Sequence, residues 1–305
     1  MSSLMNAQQS AHASLHDSLE YDRWDRRTLS NWLMNWLSGL VALLACLPLF
    51  SLLGMVFYRG ISALNWEALV SLPPAPLEPG GGFGNAIVGT IAVVALAALI
   101  SVPSGIMTAV YIAYLGPDSR LAEAVRFVAR VLSGLPSILA GVFAYAMVVL
   151  TMKSYSAIAG AIALSVLMLP IVLLTAEQSL RMVQSKLIEA AIGMGCNQTQ
   201  VVWRVLLPTA FPGILTGVLL AVARAAGETA PLLFTALFSN YWLMQDGRLT
   251  LDQPTASLAV FIFNFSGSAY DNMIEMAWAA ALILVLMILV LNLAAQFLTR
   301  KPLSR

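Results

Sequence analysis

The residues best suited to chemistry in this chain are Arg224 and Glu228, four apart inside the apolar stretch LLAVARAAGETAPLLFTALF at Leu219–Phe238. Spacing of i, i+4 places two helical side chains on one face, and Thr229, Pro231 and Thr235 follow them. Arginine offers a planar fork of donors that matches an oxyanion. A carboxylate beside it would temper the positive site so that an anion could leave again, or would take a proton from a monoprotonated anion. A charge near the middle of a bilayer costs roughly 2.5–3.5 kcal/mol on insertion scales. The face carrying both groups is therefore expected to line a water-accessible path or a buried subunit contact. The plainer alternative is an internal salt bridge fastening helices together. Arg preceding Glu by four is the less favourable order for such a pair, so pairing alone explains the placement poorly.

The rest of the chain indicates what must hold these residues. Of 305 residues, 59% are hydrophobic and only 10% charged, against about 25% charged in soluble proteins. Apolar runs near the length of a spanning helix, about 20 residues, recur along it. The expected class is an all-α polytopic membrane protein with six spans: Trp36–Tyr58, Ala86–Tyr114, Val131–Met152, Ala157–Ala176, Ile214–Ser239 and Met276–Leu298. Pro103 should kink or divide the second, while Pro136, Pro170 and Pro231 punctuate the next three. Arg224 falls about eleven residues into the fifth span, near the bilayer midplane at 1.5 Å per residue. Residues 1–30 form a polar tail and residues 31–305 the membrane domain.

Basic residues orient the spans. With the N-terminus inside, Arg23, Arg26, Arg27, Arg120, Arg126, Arg130, Arg181, Lys186, Arg204, Arg300, Lys301 and Arg305 are cytosolic. Only Arg59, Lys153 and Arg248 are left outside, so both termini are expected in the cytosol. Ser119–Leu132 is amphipathic, with Arg120, Glu123, Arg126 and Arg130 gathered on one face, and reads as a helix at the inner membrane surface.

Other function classes are disfavoured. A net charge of +1 without a basic tract gives no case for nucleic acid. Both histidines, His12 and His16, lie in the tail, so no membrane-embedded Ser–His pair is available. Cys46 and Cys196 give no disulfide framework and no zinc cluster. Asp271 is the only aspartate near a span, which argues against an aspartyl pair. The glycines of Ser71–Asn85 lack the spacing of a phosphate-binding loop and read as turns. No cofactor or metal is expected in this chain.

The loop at about 180–212 carries the sharpest local pattern, SKLIEAAIGMGCNQTQVVWRVLLPTAFPGI. Leu187, Ala190, Ala191 and Met194 recur at helical spacing, a stripe kept low by alanine. Gly195 is placed to end that helix, and Asn197 with Gln200 to cap the next. Pro208 and Pro212 are expected to break the path before the membrane is re-entered. On these grounds the loop is a helix–turn–helix that either packs on its own protein or meets another. Its residues resemble the EAA loop of bacterial ATP-binding-cassette importer permeases, EAA-x3-G-x9-I-x-L-P. Glu189, Ala190, Ala191, Gly195, Leu207 and Pro208 stand at the matching positions, with Val205 in place of isoleucine.

That resemblance implies a type I importer permease fold in which the loop docks on an ATPase subunit, with Glu189 as a charged anchor. The chain has no Walker A sequence, so ATP and magnesium would be held by separate ATPase subunits. GETAPL at Gly227–Leu232, GLPSILAG at Gly134–Gly141 and GTI at Gly89–Ile91 are similar to the phosphate-specific importer permeases, over essentially all six spans, although Ala140 stands where many relatives have tyrosine. The GETAPL form is closer to the A-type than to the C-type subunit. The resemblance then implies a C-type partner permease in a heterodimer, a B-type ATPase dimer and a periplasmic S-type phosphate-binding protein. Arg224, Glu228, Thr229 and Thr235 would contribute to the anion path. Import of sulfate, molybdate or phosphonate, or identity as the C-type partner, are the alternatives.

Overall fold

The computed structural model of the chain describes residues 26–78, 80–245 and 247–299. The histidines, Arg23 and the C-terminal Arg300, Lys301 and Arg305 lie outside the described residues. The chain divides at Met55/Val56 into two compact units.

The first helix, α1 (Arg26–Ala63), begins within the stretch read as tail and runs through Pro48. Only 6% of its apolar window is buried. Asn65 then starts α2 (Trp66–Val70), its carboxamide oxygen accepting from the Ala68 amide at 2.6 Å. The second span, α3 (Gly84–Val110), continues undivided through Pro103 into a π-turn at Tyr111–Leu115. Ser119 caps α4 (Arg120–Ser133). Then come α5 (Ser137–Ala144), a π-turn at Tyr145–Val149 and α6 (Leu150–Met152). The fourth span is α7 (Ala157–Arg181), undivided at Pro170 and capped by Ser156.

After it stand α8 (Ser185–Gly193) and α9 (Gln198–Val201), then a π-turn at Val202–Leu206 and α10 (Leu207–Ala226). The chain continues with α11 (Ala230–Thr235), the hairpin β1 (Met244–Gln245) and β2 (Arg248–Leu249), α12 (Leu258–Ser266) and α13 (Asp271–Thr299). The two strands are antiparallel, with Met244 opposite Leu249 and Gln245 opposite Arg248.

Five of these helical runs are long and apolar enough to cross a membrane, and α4 with α5–α6 makes a sixth if counted as one bent span. Three expectations about the path need correction. The third span is not one helix from Val131: α4 ends at Ser133, and the next axis departs by 105°. Pro136 disfavours helical backbone at Leu135 before it, which sets the corner. The fifth span is not one helix either, since α10 stops at Ala226 and Gly227 closes its last turn. Pro231 sits in the first turn of α11, where a missing N–H costs nothing, so it begins a helix rather than bending one. Conversely, Pro208 and Pro212 do not break the path. The helical run is continuous from Gln198 to Ala226, and the wider π-turn just before Pro208 absorbs the loss of regular bonding.

The hub is α7, with 67% of its apolar window buried. Small residues let its neighbours come close. Gly105 of α3 rests on Val172, at 2.9 Å from where a Cβ would stand. On α10, Gly213 and Gly217 face Ser179 and Thr175 of α7, where any added Cβ would collide with a hydroxyl. Gly160 of α7 itself receives Leu232 and Ala236. A glycine pair four apart against small hydroxyl residues four apart is a close-packing interface of the kind that joins helices in lipid.

A second core sits outside the hub, around Phe83, Leu258, Phe261 and Phe265. It encloses one face of α12, a helix inside a segment that reads as loop. The GTI motif explains this docking. The Thr90 hydroxyl donates to the Ala86 carbonyl at 2.7 Å and accepts from the Leu258 amide, the first of α12, at 2.8 Å. Gly89 makes room for the Ala256 carbonyl. Gly89→Ala should therefore destabilise the protein by about 1–3 kcal/mol through overpacking. Gly39→Ala, where a Cβ meets nothing within 4 Å, should not. Thermal unfolding of the full chain in detergent, read by loss of the monodisperse peak, tests both.

Candidate functional site

Arg224 lies in the last turn of α10, and Glu228 lies just beyond the helix end. The two still meet, with Arg224 Nε donating to Glu228 Oε1 at 3.3 Å. The helix has already turned by then: the Gly227 amide donates to the Arg224 carbonyl at 3.1 Å and the Glu228 amide to that of Ala225 at 3.2 Å. The sequence order that disfavours an intrahelical pair is thus circumvented by a helix stop. A cation in the last turn also faces the negative end of the helix dipole, a favourable placement. The Arg224 side chain is 44% exposed and that of Glu228 16%. Only Nε of the guanidinium is engaged with a described residue, leaving the terminal donors of its fork available.

Two of the three sequence motifs meet beside this pair. Gly141 of α5 abuts Pro231 of α11, where an added Cβ would stand 2.7 Å from the Pro231 Cα. Ala140 is buried on the same helix. Thr229 is half-buried at the start of α11, and its carbonyl accepts from the amides of Leu232 and Leu233 at 3.1 Å. Thr235 is fully buried, its hydroxyl donating to the Pro231 carbonyl at 2.8 Å. The structure therefore brings Arg224, Glu228 and Thr229 to one helix break and sets Thr235 in the packing behind it.

At the opposite end of α10, the loop is held by two complete caps. The Gly195 amide donates to Ile192 at 2.9 Å and the Cys196 amide to Ala191 at 3.1 Å, the paired bonds of a Schellman ending. Gly195 has φ +87°, which only glycine adopts freely. Asn197 and Gln200 form a reciprocal capping box, at 2.8 and 3.0 Å. The expected apolar stripe divides between two faces. Ala191 packs inward with Val201, Leu206 and Ile188. Leu187, Ala190 and Met194 face outward beside exposed Glu189, with Met194 80% exposed. Leu207 is half-buried and Pro208 exposed where α10 begins.

A second charged cluster escapes the sequence reading. Glu177 of α7 accepts from Arg126 Nε at 2.6 Å and Arg181 Nε at 2.9 Å. Arg126 also donates to the carbonyls of Pro117 (3.1 Å) and Ile112 (2.5 Å), which engages all three of its nitrogens. The charged face of Ser119–Leu132 is therefore not wholly turned to water, because Arg126 points into the protein beside buried Ala122 and Ala129. Glu177 goes unnoticed because the fourth span reads as ending one residue earlier, at Ala176. The available signal is a Glu–Arg pair at i, i+4 in the favourable order.

Residues 101–303 match the family described as binding-protein-dependent transport system inner membrane component. The chain is 40% identical over 243 residues to the phosphate transport system permease protein PstA of Yersinia pestis, covering 80% of this chain and 81% of that one. It is 40% identical over 270 residues to the protein of the same name from Pasteurella multocida, covering 88% and 94%. In fold it is similar to a chain of a bacterial ABC transporter involved in import of the acidic polysaccharide alginate, with TM-score 0.60 at 14% identity over 93% of this chain and all of that one.

The charge cluster makes a direct prediction. Arg126→Met should cost about 3 kcal/mol, the low end for breaking a buried ion pair, because Arg181 still partners Glu177. The double change Arg126→Met/Glu177→Leu should recover part of that loss. Thermal midpoints of the detergent-purified chain measure both.

Proposed function

The chain belongs to the family of binding-protein-dependent transport system inner membrane components, and on that premise we propose how it works as the permease subunit of an ATP-driven phosphate importer. The fold is that of a type I importer permease, and the chain is a multi-pass inner-membrane protein. It provides the conduit, and ATP with magnesium is handled by a separate ATPase dimer. A second, C-type permease completes the membrane path, and a periplasmic binding protein delivers phosphate. Both termini, α8 and the end of α7 that leads into it face the cytosol, in keeping with the excess of arginine and lysine on that side.

The outward face of α8 carries this reading. Leu187, Ala190 and Met194 present a low apolar surface with Glu189 at its edge, on a helix locked at its end by glycine and followed by a capping box. A helix exposed in this way, yet rigidly held, is suited to be pushed by a partner. It stands between α7 and α10, so a displacement reaches the helix break where Arg224 ends α10. There the terminal donors of Arg224 bind the oxyanion, Glu228 holds the guanidinium by one bond and keeps the site weak, and Thr229 offers a hydroxyl beside them.

Two substitutions separate the parts. Glu189→Lys should abolish uptake of labelled phosphate and weaken co-purification of the ATPase, with membrane insertion unchanged; normal uptake would remove the docking role. Arg224→Ala should lower uptake at least tenfold, from a lost charge-assisted contact of about 1.5–3 kcal/mol, while the complex still assembles. Loss of assembly alone would instead return the pair to a structural fastening. Competition of labelled phosphate by sulfate and molybdate in the wild-type complex tests the substrate, and equal competition would favour another oxyanion.

A further inference from the structure

A polar cavity of about 540 Å³ lies between α4 and the last two turns of α7, and the transport path makes no use of it. Arg126, Arg130 and Arg181 line it with Glu177 and Gln178, against an apolar wall that includes Leu174. Three guanidinium groups share a single carboxylate there, so two formal positive charges stay uncompensated. The three arginines are not equivalent. Arg126 is spent on Glu177 and two carbonyls. Arg181 commits only its Nε to Glu177 and is half exposed. Arg130 is exposed, and its guanidinium has no bonded partner among the described residues. Two donor forks are thus brought to one cavity, the arrangement that takes a phosphate group bidentately.

The outside of α4 favours one source for that phosphate. Phe127, Val128 and Val131 stand 66%, 51% and 49% exposed, a turn or less from Arg130. A ligand that puts an anionic head among the arginines and apolar chains along these residues satisfies both surfaces at once. We propose that this cavity binds the phosphodiester headgroup of an anionic phospholipid, bridging α4 to α7. Arg181 stands four residues before Ser185, so the lipid sits next to the root of α8 and stiffens the support on which that helix is pushed. This site stands apart from the substrate reading, since it holds whichever oxyanion is carried.

Native mass spectrometry of the full chain, co-purified with its partner subunits, tests it with phosphatidylglycerol, phosphatidylcholine and inorganic phosphate as separate probes. The wild type should retain phosphatidylglycerol in preference to phosphatidylcholine. Arg130→Gln should reduce that retention about fivefold, the worth of one basic side chain at an anionic surface. It should leave the thermal midpoint in lipid-free detergent unmoved, since Arg130 holds no other described residue. Equal retention of the two lipids, or phosphatidylglycerol retention indifferent to Arg130→Gln, overturns the proposal. Arg130-dependent capture of inorganic phosphate without any lipid preference also overturns it, and assigns the cavity to a soluble anion.

Discussion

Close approach of helices to α7 is the constraint on which the rest of this protein depends. Lipid is as apolar as leucine, so burial of hydrophobic side chains gives little reason for spanning helices to associate. Surface fit has to supply the attraction. Gly213 and Gly217 of α10 against Ser179 and Thr175, Gly105 of α3 against Val172, and Leu232 of α11 against Gly160 are the places where backbones come nearest. With α3, α10 and α11 drawn to one axis, the break at Gly227 falls beside α5, and Gly141 and Pro231 come into contact. The charged pair at the end of α10 is therefore positioned by glycines that carry no chemistry themselves.

The same interface gives the loop between α7 and α10 its mechanical meaning. A helix projecting on a flexible tether would dissipate any displacement imposed on it. Here α8 is closed by a Schellman ending and followed at once by a capping box, and Ala191 packs on Val201 and Leu206. The loop and the start of α10 form one packed unit. Because α10 is in turn tight against α7 near Ser179 and Thr175, a push on α8 of the kind we propose would move the two helices together. In that proposal the motion is expressed at the far end of α10, where the helix stops.

Much of this was legible in residue order, and the failures share a physical cause. Hydropathy marks where chain can lie in a membrane but not where a helix ends within an apolar run. It therefore placed the apolar regions correctly while merging α10 with α11 and misplacing the corner at Pro136. Proline gave no reliable guide: Pro103, Pro170, Pro208 and Pro212 all sit in continuous helical runs, whereas Pro231 starts a new helix. The α8–α9 turn was readable because its caps are local, each closed within a few residues. Glu177 was not, since its principal partner, Arg126, lies 51 residues away.

The two Arg–Glu clusters differ in a way that assigns them different work. Arg126 is 17% exposed and makes bonds to a carboxylate and two carbonyls, so every nitrogen of its guanidinium is engaged and its charge is held in place. Such a group can fix α4 against α7, and it keeps only two N–H donors, both on nitrogens already bonded to the protein. Arg224 is 44% exposed, held by one bond of 3.3 Å, and sits where a helix stops and the backbone turns. An arginine that were only a fastener would be expected to resemble the first. A guanidinium bonded at every nitrogen suits a brace, whereas one held only at Nε suits a ligand that must arrive and depart. By that criterion the anion-handling role we propose falls to the pair at the end of α10 rather than to the Arg126 cluster, with Glu228 setting how firmly such a site would hold.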